Sequence, residues 1–201
     1  MTAEEGWLAA IEAEAPDIVA AWRGIERGQF LSVRRHVRRY GGAGSTARTV
    51  AQLAVTATAL IAFVEGLSDE ALAMPGGEED WNVAQTVGHV ATSRAGLALA
   101  AGLAASGRWP PDAPSVVPGI PGQAADRPEL IRKLSRSQGI VARSAGHVAG
   151  HETDPCPLHH PLVGRLRCGE WLLFAGVHDL MHIEQLHAIA AARPRPSGRA
   201  W

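Results

Sequence analysis

Two histidines one helical turn apart, set in an otherwise apolar stretch, are the first residues of this sequence that can do chemistry. Between Trp171 and Ile189, a helical wheel puts Trp171, Phe174, Ala175, His178, His182, Gln185 and Ile189 on one face, because steps of three, four and seven residues return to the same side. Two imidazoles and an amide therefore stand inside an apolar stripe. A buried polar group without a partner costs roughly 2–7 kcal/mol, depending on the reference state, so three of them on one core-facing stripe need partners. A metal ion is one solution, since His at i and i+4 presents two ring nitrogens to a common point. A pair of hydrogen-bonded core histidines is the other, and spacing alone does not choose between them.

The remaining histidines show why. His147 and His151 repeat the i, i+4 spacing, but they fall off the apolar stripe of their helix and sit beside Gly146 and Gly150, which reads as a surface pair near a helix end. Cys156, His159 and His160 lie in a proline-rich segment. They can be read as ordinary loop residues or as the source of a fourth metal ligand. His89 lies at the edge of the stripe Val83, Val87, Val90 and Leu97, with Thr86 and Ser93 beside it.

The elements that must position these groups are helices. Residues 1–40 read as short helical pieces interrupted at Pro16. The last of them has Phe30, Val33, Val37 and Tyr40 on one side and Arg34, Arg35, Arg38 and Arg39 on the other, a pattern that fits a solvated amphipathic face better than an anion site. Gly41, Gly42, Ala43 and Gly44 read as a flexible joint. Ser45 is placed to cap a helix with the stripe Val50, Leu53, Ala57, Leu60, Ile61, Val64 and Leu67. The turn at Pro75, Gly76 and Gly77, with Glu78, Glu79 and Asp80, leads to Asn82, which with Gln85 has the spacing of a capping box. The helix it opens runs to about Ser106. Residues 107–125, with Pro110, Pro111, Pro114, Pro118 and Pro121, read as a long surface loop of the kind that borders binding sites. Asp126 and Glu129 open a third long helix, residues 152–169 read as irregular, and a fourth runs from about Glu170 to Ala192, stopped by Pro194 and Pro196. Four long helices without a convincing strand predict an all-α bundle.

Composition sets the class. The chain has 201 residues, of which 46% are hydrophobic, and a formal net charge of −1, which fits a soluble globular protein with no global attraction to nucleic acid. Two cysteines, Cys156 and Cys168, are too few for a disulfide scaffold and fit a reducing compartment. The first residues are acidic rather than secretory, and no apolar run approaches the roughly 20 residues that cross a bilayer. The expectation is a cytoplasmic protein. Ala, Gly, Pro and Arg abound while Lys133 is the only lysine, the bias of a GC-rich genome.

Two motifs together carry a resemblance. Trp81-Asn82-Val83, with His89 seven residues after the Asn, is followed by His178-Asp179-Leu180-Met181-His182-Ile183-Glu184-Gln185, and more weakly by His160-Pro161-Leu162-Val163-Gly164 ahead of Glu170-Trp171. In these, residues 45–192 resemble the DinB/YfiT-like family, including its thiol-dependent branch, the mycothiol-dependent maleylpyruvate isomerases among them. The resemblance implies an up-and-down four-helix bundle with a long crossover, often a homodimer, that binds zinc or nickel through one His on the second helix and two on the fourth. His89, His178 and His182 occupy those positions. It leaves residues 1–44 as an N-terminal helical extension and 193–201 as a tail, and implies no DNA chemistry.

Asp179 projects about 100° from His178 on the wheel, so the motif lacks the glutamate base of a zincin. Three neutral imidazoles leave a divalent ion with open positions, which suits catalysis. Gln185 is placed either to support a ligand or bind substrate, or simply to pack. The functions expected are a metal-dependent transferase or isomerase acting on a small molecule with a thiol such as mycothiol, a metal-dependent hydrolase, or a bundle that keeps its metal for stability. The far side of the fourth helix, at Leu172, Leu173, Leu180 and Ile183, is also apolar. It must be covered by the N-terminal segment or by a second subunit, and a homodimer is the expectation.

Overall fold

A computed structural model describes residues 3–26, 28–76, 81–117 and 122–191. Residues 77–80, Pro118, Pro121, and the tail with Pro194 and Pro196 lie outside the described residues. Four long helices make the centre: α4 (Thr46–Glu65), α6 (Val83–Ala105), α7 (Arg127–Val148) and α8 (Cys168–Ala191). They close in the order α4, α7, α6, α8, so that α6 packs against both α7 and α8 while α4 packs against the same two. The mostly helical bundle expected from the sequence is what forms, and α6 and α8 are neighbours.

Local signals start some of these helices. Asn82 accepts from the Gln85 amide at 2.8 Å and the Gln85 side chain accepts from the Asn82 amide at 3.0 Å, a complete capping box that fixes the first turn of α6. Asp126 caps α7 by accepting from the Glu129 amide at 2.9 Å. Glu129 does not reciprocate, because its carboxylate is held by Arg132 at 2.6 Å.

At α4 the expected cap fails. Ser45 stands at the capping position, but its backbone is already helical, its side chain makes no capping bond, and its hydroxyl is buried without a partner. The anion at this helix start is instead Glu152, 4% exposed, which accepts from the Thr46 hydroxyl at 2.7 Å. The positive end of the helix dipole favours a carboxylate there.

Three shorter helices precede the bundle: α1 (Ala3–Glu14), α2 (Pro16–Glu26) and α3 (Phe30–Tyr40), and a single turn, α5 (Asp69–Leu72), precedes α6. Ile11, Ile18, Val19, Trp22, Val33 and Val37 join the same core as Leu172, Leu173 and Leu180. The far face of α8 is thus covered by α2 and α3 of the same chain, which removes the reason for placing a second subunit there. Gln52 on α4 accepts from the amides of Asp17 and Ile18 at 3.0 and 3.2 Å and donates to the Asp17 carboxylate at 2.9 Å. The Gly-rich segment is not a loose joint: a Cβ on Gly41 would stand 2.8 Å from both the Glu170 Cα and the Gly169 carbonyl oxygen. The basic side of α3 does face outward, while Val33 and Val37 are buried.

Two further expectations need correction. Residues 155–167 are not irregular but form an antiparallel hairpin, β1 (Pro155–His160) and β2 (Gly164–Arg167). Its alternation was masked by prolines: Cys156 and Leu158 point inward while Pro155 and Pro157 are exposed. Second, α4 is long and apolar enough to cross a bilayer by length and composition. In the fold it packs against α7 and α8, with Gln52, Leu53, Thr56, Ala57, Leu60 and Val64 buried.

Candidate metal centre

The capping box places His89 two turns into α6, and the i, i+4 spacing stacks His178 and His182 on the side of α8 that faces it. The ring centroids lie 5.2 Å apart for His89 and His178, 5.1 Å for His89 and His182, and 4.6 Å for His178 and His182. One ring nitrogen from each falls within 4.8 Å of the other two. The Nε2 atoms of His89 and His178 stand 3.3 Å apart. Two nitrogens bound to one tetrahedral zinc at about 2.0–2.1 Å would be separated by about 3.3 Å. The His89 and His178 nitrogens thus stand at the separation of two ligands of one ion, with a His182 nitrogen within 4.8 Å of both, while on its other side the Nδ1 of His178 is buried with no hydrogen-bond partner.

The surroundings set ring orientation and charge. His182 Nδ1 lies 2.7 Å from Gln185 Oε1, an acceptor, so it carries the proton, and Gln185 Nε2 donates onward to the Gly76 carbonyl. This fixes the tautomer with the Nε2 lone pair available, the arrangement that metal-binding histidines require. Ser93 Oγ lies 3.3 Å from His89 Nε2, and the Trp81 ring packs on His89 at 5.0 Å. Burial, then the charges of His182, His89 and His160, hold the pKa of His178 well below its ordinary 6.5. It is thus neutral, the form that donates to a metal.

Sequence reasoning missed the polar cluster behind these rings. Asp179, next to His178, is fully buried and accepts from the Thr56 hydroxyl at 2.6 Å. It faces Arg94 of α6 at 3.5 Å. Arg94, equally buried, donates to the Leu53 carbonyl at 3.0 Å and to Gln138 at 2.7 Å. Burial raises the Asp179 pKa against the opposing pull of Arg94 and Thr56. The signal available was a single arginine within the Ala, Gly and Leu run of α6, which needs an anion if buried.

The other candidates separate cleanly. His147 and His151 are exposed, and each has its own partner: Arg108 lies 3.1 Å from His147 and Asp154 lies 2.8 Å from His151. Cys156 and Cys168 are free and buried. Burial pushes the Cys156 thiol up to about 11, and burial with the neighbouring Cys156 and Asp154 pushes Cys168 up to about 12, so neither is a ready thiolate. His160 packs on Phe174 at 5.0 Å. Among the described residues the cluster with metal-ligand geometry contains His89, His178 and His182 and no fourth side chain from the hairpin.

The profile of the DinB superfamily matches residues 52–186, a span that contains all three histidines, Ser93, Arg94, Asp179 and Gln185. No curated protein and no solved structure matches the chain.

Proposed function

The chain belongs to the DinB superfamily, and on that premise we propose that it is a cytoplasmic metal-dependent enzyme for small molecules, a transferase or isomerase that uses a low-molecular-weight thiol of the mycothiol type. The observation that carries the proposal is the convergence of His89, His178 and His182 from two helices, with one nitrogen of each within 4.8 Å of the others. A zinc or nickel ion bound there would supply Lewis-acid chemistry, under which a coordinating thiol loses its proton at neutral pH. The residues of the chain do the remaining work. Gln185 holds the His182 ring in one tautomer. Trp81 packs apolar ring surface on His89, and Ser93 places a hydroxyl beside the same ring.

Asp179 is not placed as a general base: its side chain is fully buried, and its Oδ2 is turned to Thr56 and Arg94. With no carboxylate base beside it among the described residues, a nucleophile there would have to be ionised by the ion itself, which is easier for a thiol than for water. Elemental analysis of freshly purified protein should find the ion, and His182→Ala should abolish it. Added thiol should then raise the melting temperature of the loaded protein but not of the His182→Ala variant. Cleavage of esters without thiol would support the hydrolytic alternative instead. Full metal occupancy with neither response would leave a bundle stabilised by its metal.

A further inference from the structure

A slot of about 330 Å³ opens along α6 between that helix, the 109–117 segment and β1. Its walls are Leu97, Ala100, Leu103, Trp109, Val117 and Leu158, and none of its described lining residues carries a charge. Ser93 is among its lining residues, and the Ser93 hydroxyl lies 3.3 Å from His89 Nε2. The roof is tied down in advance: the Val117 amide donates to the His159 carbonyl at 3.0 Å, and the His159 amide donates to the Ser115 carbonyl at 2.7 Å.

The surface agrees with the interior. Four large hydrophobics are conspicuously exposed among the described residues, and two of them, Leu99 at 48% and Val116 at 49%, stand in this slot. The volume is within the usual range for small-molecule sites, about 300–1,000 Å³. A charged group would lose its hydration there without gaining a partner. A groove of about 440 Å³ on the α7 side of the same helix reaches His89 itself and shares Thr92 and Ser93 with the slot, but Lys133 and Arg136 line it, so it suits the charged part of a ligand and the slot its apolar part.

We propose that the slot holds the apolar body of a neutral alkyl or aryl substrate, whose reacting end lies at Ser93 beside the three imidazoles. This rests on the enzymatic reading above for the chemistry at that end, but the slot is testable without it. The probe is N-phenyl-1-naphthylamine, a neutral dye that brightens in apolar sites, displaced in turn by 1-octanol and by octanoate from full-length protein.

Octanol should displace the dye at a concentration at least tenfold below that needed for octanoate. Ala100→Trp, which fills the slot, and Val116→Asp, which puts a charge at an exposed position on its edge, should each weaken dye binding about tenfold with metal content unchanged. Equal competition by octanoate, or dye binding unaltered in both variants, overturns the proposal. Dye binding in protein that holds no metal supports the slot and counts against the enzymatic reading alone, whereas metal-loaded protein that binds no dye overturns the slot and leaves the metal centre standing.

Discussion

Gln185 makes two hydrogen bonds with one amide, and each constrains a different part of the site. Its oxygen fixes His182 and its nitrogen grips the Gly76 carbonyl, far away in sequence. Losing such a support typically costs about 10–100-fold in metal affinity. Gln185→Ala should therefore weaken zinc binding by that factor in competition with a chelator, while the unfolding midpoint of the metal-free protein changes little. A pure packing role would give the reverse pattern. Arg94 and Asp179 call for a different experiment. Removing one member of a buried ion pair strands the other and costs about 3–5 kcal/mol, whereas replacing both with apolar groups is often neutral. Arg94→Met should thus be severely destabilising in denaturant titrations, and Arg94→Met with Asp179→Leu should recover most of the loss.

Helix starts show what a sequence can and cannot disclose about its elements. The partners of the box, Asn82 and Gln85, stand three positions apart, so it was legible, and it set the helix on which His89 lies. Two members of the candidate site were legible for the same reason, since the period of a helix aligns His178 with His182 whatever surrounds them; His89, on another helix, joined them only through the family resemblance. The cap of α4 was not legible, because its carboxylate comes from Glu152, 106 positions away from Thr46. Nor were the Arg94–Asp179 pair and the Gln52 cap on α2, whose partners meet only when helices pack. The hairpin escaped because Pro155 and Pro157 occupy the outward positions of a strand and read as breakers. Glu152 gives this a measurable form. Burial alone would raise its pKa, but hydrogen bonds from the Thr46 hydroxyl and from backbone amides of Glu152, Gly44 and Thr46 outweigh it, leaving the value below the ordinary 4.5. The ionised carboxylate therefore contributes stability that is fully present above pH 4.5 and is lost as pH falls through the depressed value. Glu152→Gln should be less stable than wild type by about 0.5–2 kcal/mol at pH 7, and that gap should close progressively in acid.

Across the whole molecule, α8 is the central member, packed against α2, α3, α4, α6, α7 and β2. One face carries His178 and His182 toward α6, another carries Asp179 toward Thr56 and Arg94, and a third lies under α2 and α3, where Ile18 packs so closely that a Cβ on Gly176 would meet its side chain. Trp7 of α1 stacks on His187 with ring centroids 5.1 Å apart. An ion bound between α6 and α8 should consequently stabilise the N-terminal helices as well, although none of them supplies a ligand. At a free zinc concentration of 100 Kd the stabilisation is about 2.7 kcal/mol, which for a chain of this size raises the melting temperature by about 5–11 °C. Calorimetry with and without zinc should show one transition that moves as a unit, with tryptophan fluorescence from Trp7 and Trp22 following the same midpoint. Two transitions, with only the later one responding to zinc, would mean that α1–α3 unfold independently, and that burial of Leu172, Leu173 and Leu180 beneath them is not coupled to the metal centre.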